Sequence, residues 1–197
     1  MRTFASILWR RLDAPGHDAC RLLGGPEGWR LDGAAALRWP DGRPAALAYR
    51  VCCDAAWRSR RGTVRGWIGD RAVDVVLARD ADGWRCGATP VPGLAHCIDL
   101  DLGFTPATNL LPLRRLALAA GASAAAPAAW LDLDARPMLG LLDQRYRRTG
   151  AFEYAYEAPG AVYAATLRTT AEGFVREYPG LWTSGPDGQG ADGAHRG

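Results

Sequence analysis

Asp99 and Asp101 stand two residues apart in HCIDLDLGFTPATNLLPLRR, residues 96–115, inside an otherwise apolar run. On a strand this spacing sends both carboxylates from the same face. Such a pair can hold a cation, bond neighbouring sugar hydroxyls, pair with arginines or face water. A hard cation needs further oxygen ligands that the flanking residues do not identify. Sugar recognition needs carboxylates or amides beside an aromatic ring, and Asp54, Trp57, Trp67, Asn109 and Arg114 could complete that set. Pairing with arginine explains the same acids without any ligand, with Arg50, Arg58, Arg114 and Arg115 as the candidates. Two carboxylates left unpaired in a partly buried sheet would each lose hydration, so the arginine reading ranks first. On that reading Asp101→Asn breaks a charge-assisted bond and destabilises the fold.

His96 neighbours the acidic strand and could work with Asp99 or Asp101 as a general acid or base. A lone strand histidine is more often structural, and the chain has no GxSxG, HExxH, GxxxxGK[ST] or helix-opening GxGxxG. Binding is therefore read in preference to catalysis. The alternative is an enzyme acting on a sugar or lipid conjugate through Asp99, Asp101 and His96, and a third reading is an interaction module with a filled core. No cofactor is expected, and Cys86, His96 and Cys97 lack the spacing of a structural zinc site.

The elements that must position these residues alternate with period two. In PAALAYRVCCDAAW, residues 44–57, Ala45, Leu47, Tyr49, Val51, Cys53, Ala55 and Trp57 form one apolar face. Shorter runs at 64–68, 73–77, 98–102 and 152–156 repeat the habit. Glycine-bearing turns at 40–42, 68–70, 80–83, 148–150, 158–160 and 171–173 interrupt them as hairpin turns do. These signals predict a mainly β protein built on an antiparallel sheet, with few and short helices. In LLPLRRLALAAG, proline limits any helix to about a turn or two. The alanine-rich stretch 121–129 reads as a connector between possible halves, 1–120 and 128–183, of one domain spanning 1–183. The glycine-rich tail 184–197 is too polar to order. AVDVVLARDADGW, 72–84, aligned with VYAATLRTTAEGF, 162–174, matches Leu77 to Leu167 and Gly83 to Gly173, a possible internal duplication.

At 197 residues the chain can bury a core without staples. Its net charge of +3 is slight, and acids and bases intermingle, which argues against a nucleic-acid face. All of the basic side chains besides histidine are arginine, a bias that weakens arguments from any single one. No stretch is long and apolar enough for a transmembrane span or a secretory signal. Five cysteines without CxxC spacing read as reduced thiols, and a cytoplasmic location follows. The oligomeric state is left open.

The stretches LWRRLDAPGHDACRL, YRVCCDAAWRSRRGTVRGW, CIDLDLGFTPATNLLPLRRLAL, QRYRRTG and EYPGLW occur in this order across residues 8–182. In this combination the chain resembles a bacterial family of glycolipid-binding proteins, formerly a domain of unknown function. The resemblance implies a strongly curved antiparallel sheet or incomplete barrel, akin to lipoprotein carriers, whose concave side encloses acyl chains. It also implies a lipid or glycolipid ligand, and it assigns no catalytic residues.

Overall fold

The computed structural model describes residues 1–185, so residues 186–197 of the tail lie outside the described residues. Strands account for 57% of the chain. Eight of them run as an antiparallel meander: β1 (Arg2–Arg11), β2 (Gly16–Gly25), β3 (Gly28–Arg38), β4 (Pro44–Cys53), β5 (Ser59–Ile68), β6 (Arg71–Asp80), β7 (Gly83–Cys86) and β8 (Thr89–Val91). The chain then forms β9 (Asp99–Leu102), α1 (Leu110–Leu116), β10 (Ser123–Ala125), β11 (Ala128–Leu131) and β12 (Leu139–Leu142). It closes with β13 (Arg145–Arg148), β14 (Glu153–Ala158), β15 (Tyr163–Thr169), β16 (Val175–Tyr178) and β17 (Trp182–Thr183).

Because β17 pairs with β1, the late strands extend the meander into one open sheet of fourteen, ordered β10-β13-β14-β15-β16-β17-β1-β2-β3-β4-β5-β6-β7-β8. Trp9 fastens that seam: its indole is fully buried and donates to the Val175 carbonyl at 2.5 Å. The two segments of the sequence echo fall on hairpins, β6–β7 and β15–β16. The stretch 121–129, read as a connector, instead carries β10 and the start of β11. Alanine is a weak strand former, and pairing with β13, β9 and β12 overrides that preference.

The three remaining strands form a small inner sheet ordered β12-β11-β9, with β9 and β11 parallel. Parallel neighbours need a crossover, which α1 helps to supply. Pro112 is accommodated because it lies in the first turn, where a backbone N–H has no helical acceptor. Alternation gives the inner sheet two faces. Leu100, Leu102, Ala129, Leu131 and Leu139 pack into the core beneath β2–β6, together with Ala107, Leu110 and Leu111. Ala128 and Leu142, with Trp130 at the margin, join a second core under β13–β16 with Tyr146, Tyr156 and Leu167. The docking is close. A side chain at Gly62 of β5 would come within 2.3 Å of the Leu100 methyl, and Ser59 Oγ accepts from the Leu100 N–H at 3.1 Å. The face of the large sheet that carries Leu31, Leu47, Val51 and Leu77 is thus covered by the chain's own residues.

Candidate functional site

Asp99 and Asp101 do leave one face of β9, and that face meets the tyrosine-rich second core. Asp99 takes a two-pronged pair from Arg115, Nε to Oδ1 at 3.0 Å and Nη2 to Oδ2 at 2.6 Å. Burial pushes its carboxyl up, against the pull of Arg115. Asp101 departs from expectation. No arginine reaches it among the described residues, and its partner is the Thr108 hydroxyl, which donates at 3.2 Å. Burial, with Asp99 beside it, raises its pKa from 3.8 to about 7. Asn109 faces the same interior, where Tyr146 Oη lies 2.7 Å from its Oδ1 and 3.1 Å from Gln144 Oε1. Tyr156 Oη donates to the same glutamine at 3.0 Å. These three residues come together, but in a packed interior.

The other expected residues lie elsewhere. Asp54 follows β4 directly: its Oδ1 accepts the backbone N–H groups of Ala56 and Arg58, and its Oδ2 pairs with Arg60 at 2.7 Å. Ala55 and Trp57 therefore sit in a turn and do not extend the strand face, with Trp57 at φ 63. Trp57 stacks on Trp29 at 4.3 Å, and Arg114 lies over its ring at 5.2 Å. Trp67 is exposed on β5. Arg50 pairs with Asp32 rather than with the β9 acids. His96 is exposed, with Cys97 Sγ 3.7 Å from its Nε2, while both aspartates are buried. Among the described residues no group of three His, Cys, Asp or Glu side chains is arranged to hold a metal.

A different cleft, of ≈ 320 Å³, opens where the C-terminal ends of β9 and β11 meet the end of β1, the β3–β4 turn and β17. Its aromatic lining is Trp39, Phe104, Trp130 and Trp182, with Arg11, Asp132 and Asp134 among the polar residues. The parts are braced. Trp39 Nε1 donates to Asp134 Oδ2, and Arg71 bonds Asp134 Oδ1 at 3.1 Å and the Leu133 carbonyl at 2.9 Å. Arg11 is forked onto Asp13 and lies 5.8 Å above the Trp182 ring. Asp132 spends one oxygen on the backbone N–H of Asp134. Trp130 lies against Gly103: a Cβ there would stand 2.5 Å from the indole Nε1, so only glycine leaves the ring its place. Behind Phe104, Tyr49 packs edge-on at 5.8 Å and donates to the buried Asp18, whose carboxyl burial raises to about 6.

A family model described as "Putative glycolipid-binding" matches residues 6–184. The chain belongs to this family. A crystal structure of a DUF1089 family protein from Pseudomonas aeruginosa is similar to it, with 28% identity and a TM-score of 0.75, covering 85% of this chain and 91% of that one. Among curated proteins none matches. Three of the stretches that carry the family resemblance meet at the cleft: LWRRLDAPGHDACRL through Arg11, CIDLDLGF through Gly103 and Phe104, and EYPGLW through Leu181 and Trp182.

Chemically the cleft offers flat apolar walls and a few unspent polar groups. The indole N–H groups of Trp130 and Trp182 and the second oxygen of Asp132 have no hydrogen-bond partner among the described residues, and Arg11 and Asp134 are fixed by their neighbours. Sequence reasoning missed this set. A signal was present: WLDLDARP, residues 130–137, repeats the Asp-x-Asp spacing of residues 99–101 directly after a tryptophan. The second pair falls just beyond the end of β11, where carboxylates can reach a ligand instead of a core.

Proposed function

We propose that the protein binds the sugar moiety of an amphipathic lipid, a glycolipid, in the cleft walled by Trp39, Phe104, Trp130 and Trp182, without turning it over. The observation that carries this reading is the pairing of aromatic walls with unspent polar groups, two indole N–H donors and one Asp132 oxygen, in a braced cleft. Pyranose rings pack their C–H faces on indoles, while their hydroxyls accept and donate at the edges. The cleft volume, ≈ 320 Å³, falls within the ~300–1,000 Å³ of small-ligand pockets. The acyl tail stays outside the sheet's interior, because Leu100, Leu102, Leu131 and Leu139 already fill the core against the large sheet. No helix among the described residues is long and apolar enough to cross a membrane. Five unpaired cysteines support a reducing site of action, the cytoplasm.

Calorimetric titration with octyl glucoside tests the reading. Wild type should bind, and Trp130→Ala should bind roughly tenfold more weakly, the equivalent of losing one ring contact of about 1.4 kcal/mol. A melting curve of the variant separates this loss from unfolding. Equal affinity in a folded Trp130→Ala protein overturns the site, and release of glucose during the titration overturns the non-catalytic reading.

A further inference from the structure

A second aromatic chain lies toward the opposite end of β1. Phe4 meets Trp29 edge-on at 5.0 Å, Trp29 stacks on Trp57, and Trp57 carries Arg114 over its ring. The exposed Arg114 also lines a pocket of ≈ 360 Å³ between α1 and the ends of β13, β14 and β15, together with Leu113, Arg148, Phe152, Tyr154 and Thr170.

Some arginines of the molecule sit on a carboxylate and others, such as Arg38, Arg79, Arg85 and Arg136, donate only to backbone carbonyls; both arginines of this pocket lack a carboxylate among the described residues. Arg11, Arg43, Arg50, Arg60, Arg71 and Arg115 each sit on a carboxylate. Arg114 has neither a carboxylate nor a hydrogen-bond acceptor among the described residues; its partner is the Trp57 ring. Arg148 donates only to backbone carbonyls, from Nε to Gly150, from Nη1 to Leu118 and from Nη2 to Ala151. Those three bonds fix the guanidinium and leave its charge uncompensated. Of the nearby acids, Glu153 is engaged by Arg168 at 3.2 Å, and Glu172 is exposed in the turn between the lining residues Ala171 and Gly173. In the same wall the Thr170 hydroxyl oxygen is buried without a partner. Two like charges and an unsatisfied hydroxyl around one cavity are stabilised together by an anion, and a guanidinium fork matches the oxygens of phosphate or carboxylate. Phe152, 51% exposed, and Leu113 give the cavity an apolar side.

We propose that this pocket is a second binding site, which takes an anionic group, a phosphate or carboxylate, attached to an apolar chain. It does not rest on the sugar cleft, with which it shares no residue. The test uses the full chain with three probes: inorganic phosphate, dodecyl phosphate, and vesicles of phosphatidylcholine with and without phosphatidylglycerol. Dodecyl phosphate should bind wild type and bind Arg114→Gln roughly tenfold more weakly, as loss of a charge-assisted contact predicts. Thr170→Val, which removes only an unpartnered hydroxyl, should melt no lower than wild type and still weaken the same ligand. Octyl glucoside affinity should be unchanged in both variants. Arg114-dependent flotation with phosphatidylglycerol vesicles identifies a lipid headgroup as the source. Binding of dodecyl phosphate without flotation supports the site and identifies a soluble amphiphile as the source, whereas equal binding of inorganic phosphate overturns the apolar-chain part of the proposal. Failure of every probe to bind, or affinities unaltered in both folded variants, overturns the proposal.

Discussion

Replacing Asp101 by asparagine should stabilise the protein above neutral pH, the reverse of what an arginine partner would produce. Asp101 is buried, receives one hydroxyl from Thr108 and has Asp99 as its charged neighbour on β9. Its pKa of about 7 in the fold, against 3.8 for the free side chain, means that the native state holds a proton which unfolding releases. Stability from such a group is fully present below the unfolded value and is lost as pH rises through the folded one. At ~1.4 kcal/mol per pH unit, the 3.8-to-7 difference caps the loss at about 4 kcal/mol, of which about 2 to 3 kcal/mol falls between about pH 5 and pH 8. Asparagine keeps an oxygen for Thr108 and never ionises. Urea unfolding of both proteins at these two pH values should therefore show the variant already ahead at the acid end, by about 1 to 2 kcal/mol, with its lead widening by about 2 to 3 kcal/mol at the alkaline end. Asp18, at about 6, titrates in both proteins and cancels in the comparison. A variant less stable than wild type at both pH values, by the same margin, would refute the argument and restore a charge-assisted role for Asp101.

Arg115→Met should cost about 3 kcal/mol at neutral pH, because it strands the buried Asp99 carboxylate, and the loss should shrink in acid, where Asp99 takes up a proton; denaturant melts across pH check both. Gly103→Ala should push the Trp130 indole aside, lowering octyl glucoside affinity roughly tenfold while the melting midpoint moves little, since the ring sits at the margin of its core. Gly62→Ala should instead be paid in stability, about 1 to 3 kcal/mol by denaturant melt, because the added methyl displaces Leu100 from its notch and lifts the inner sheet from β5.

Much of the architecture was legible because strand alternation and hairpin turns are local signals. The β4 face of Ala45, Leu47, Tyr49, Val51 and Cys53 is buried as its period requires. The same pattern failed at Ala55 and Trp57, where the side chain of Asp54 caps a turn and outweighs the apolar spacing. Period alone cannot say which of two cores a face will meet, so the face of Asp99 and Asp101 was found correctly and its surroundings were not. One arginine was foreseen and supplied by α1, whereas Asp101 is served by Thr108 from the short turn before that helix. The cleft was hidden for a topological reason. Arg11, Trp39, Phe104, Trp130, Asp132 and Trp182 come from distant parts of the chain, and only the pairing of β17 with β1 and of β9 with β11 brings them to one end.

The indole N–H resonances of the eight tryptophans test the binding account most directly. Titration of the labelled protein with octyl glucoside, followed by two-dimensional nitrogen–proton NMR, should shift the signals of Trp130 and Trp182, whose N–H groups are unspent at the cleft. Trp9 and Trp84, bonded to the carbonyls of Val175 and Cys97 inside the core, should stay where they are. Stationary Trp130 and Trp182 signals at saturating glucoside, or shifts confined to the exposed Trp67, would contradict the assignment of the cleft as the sugar site.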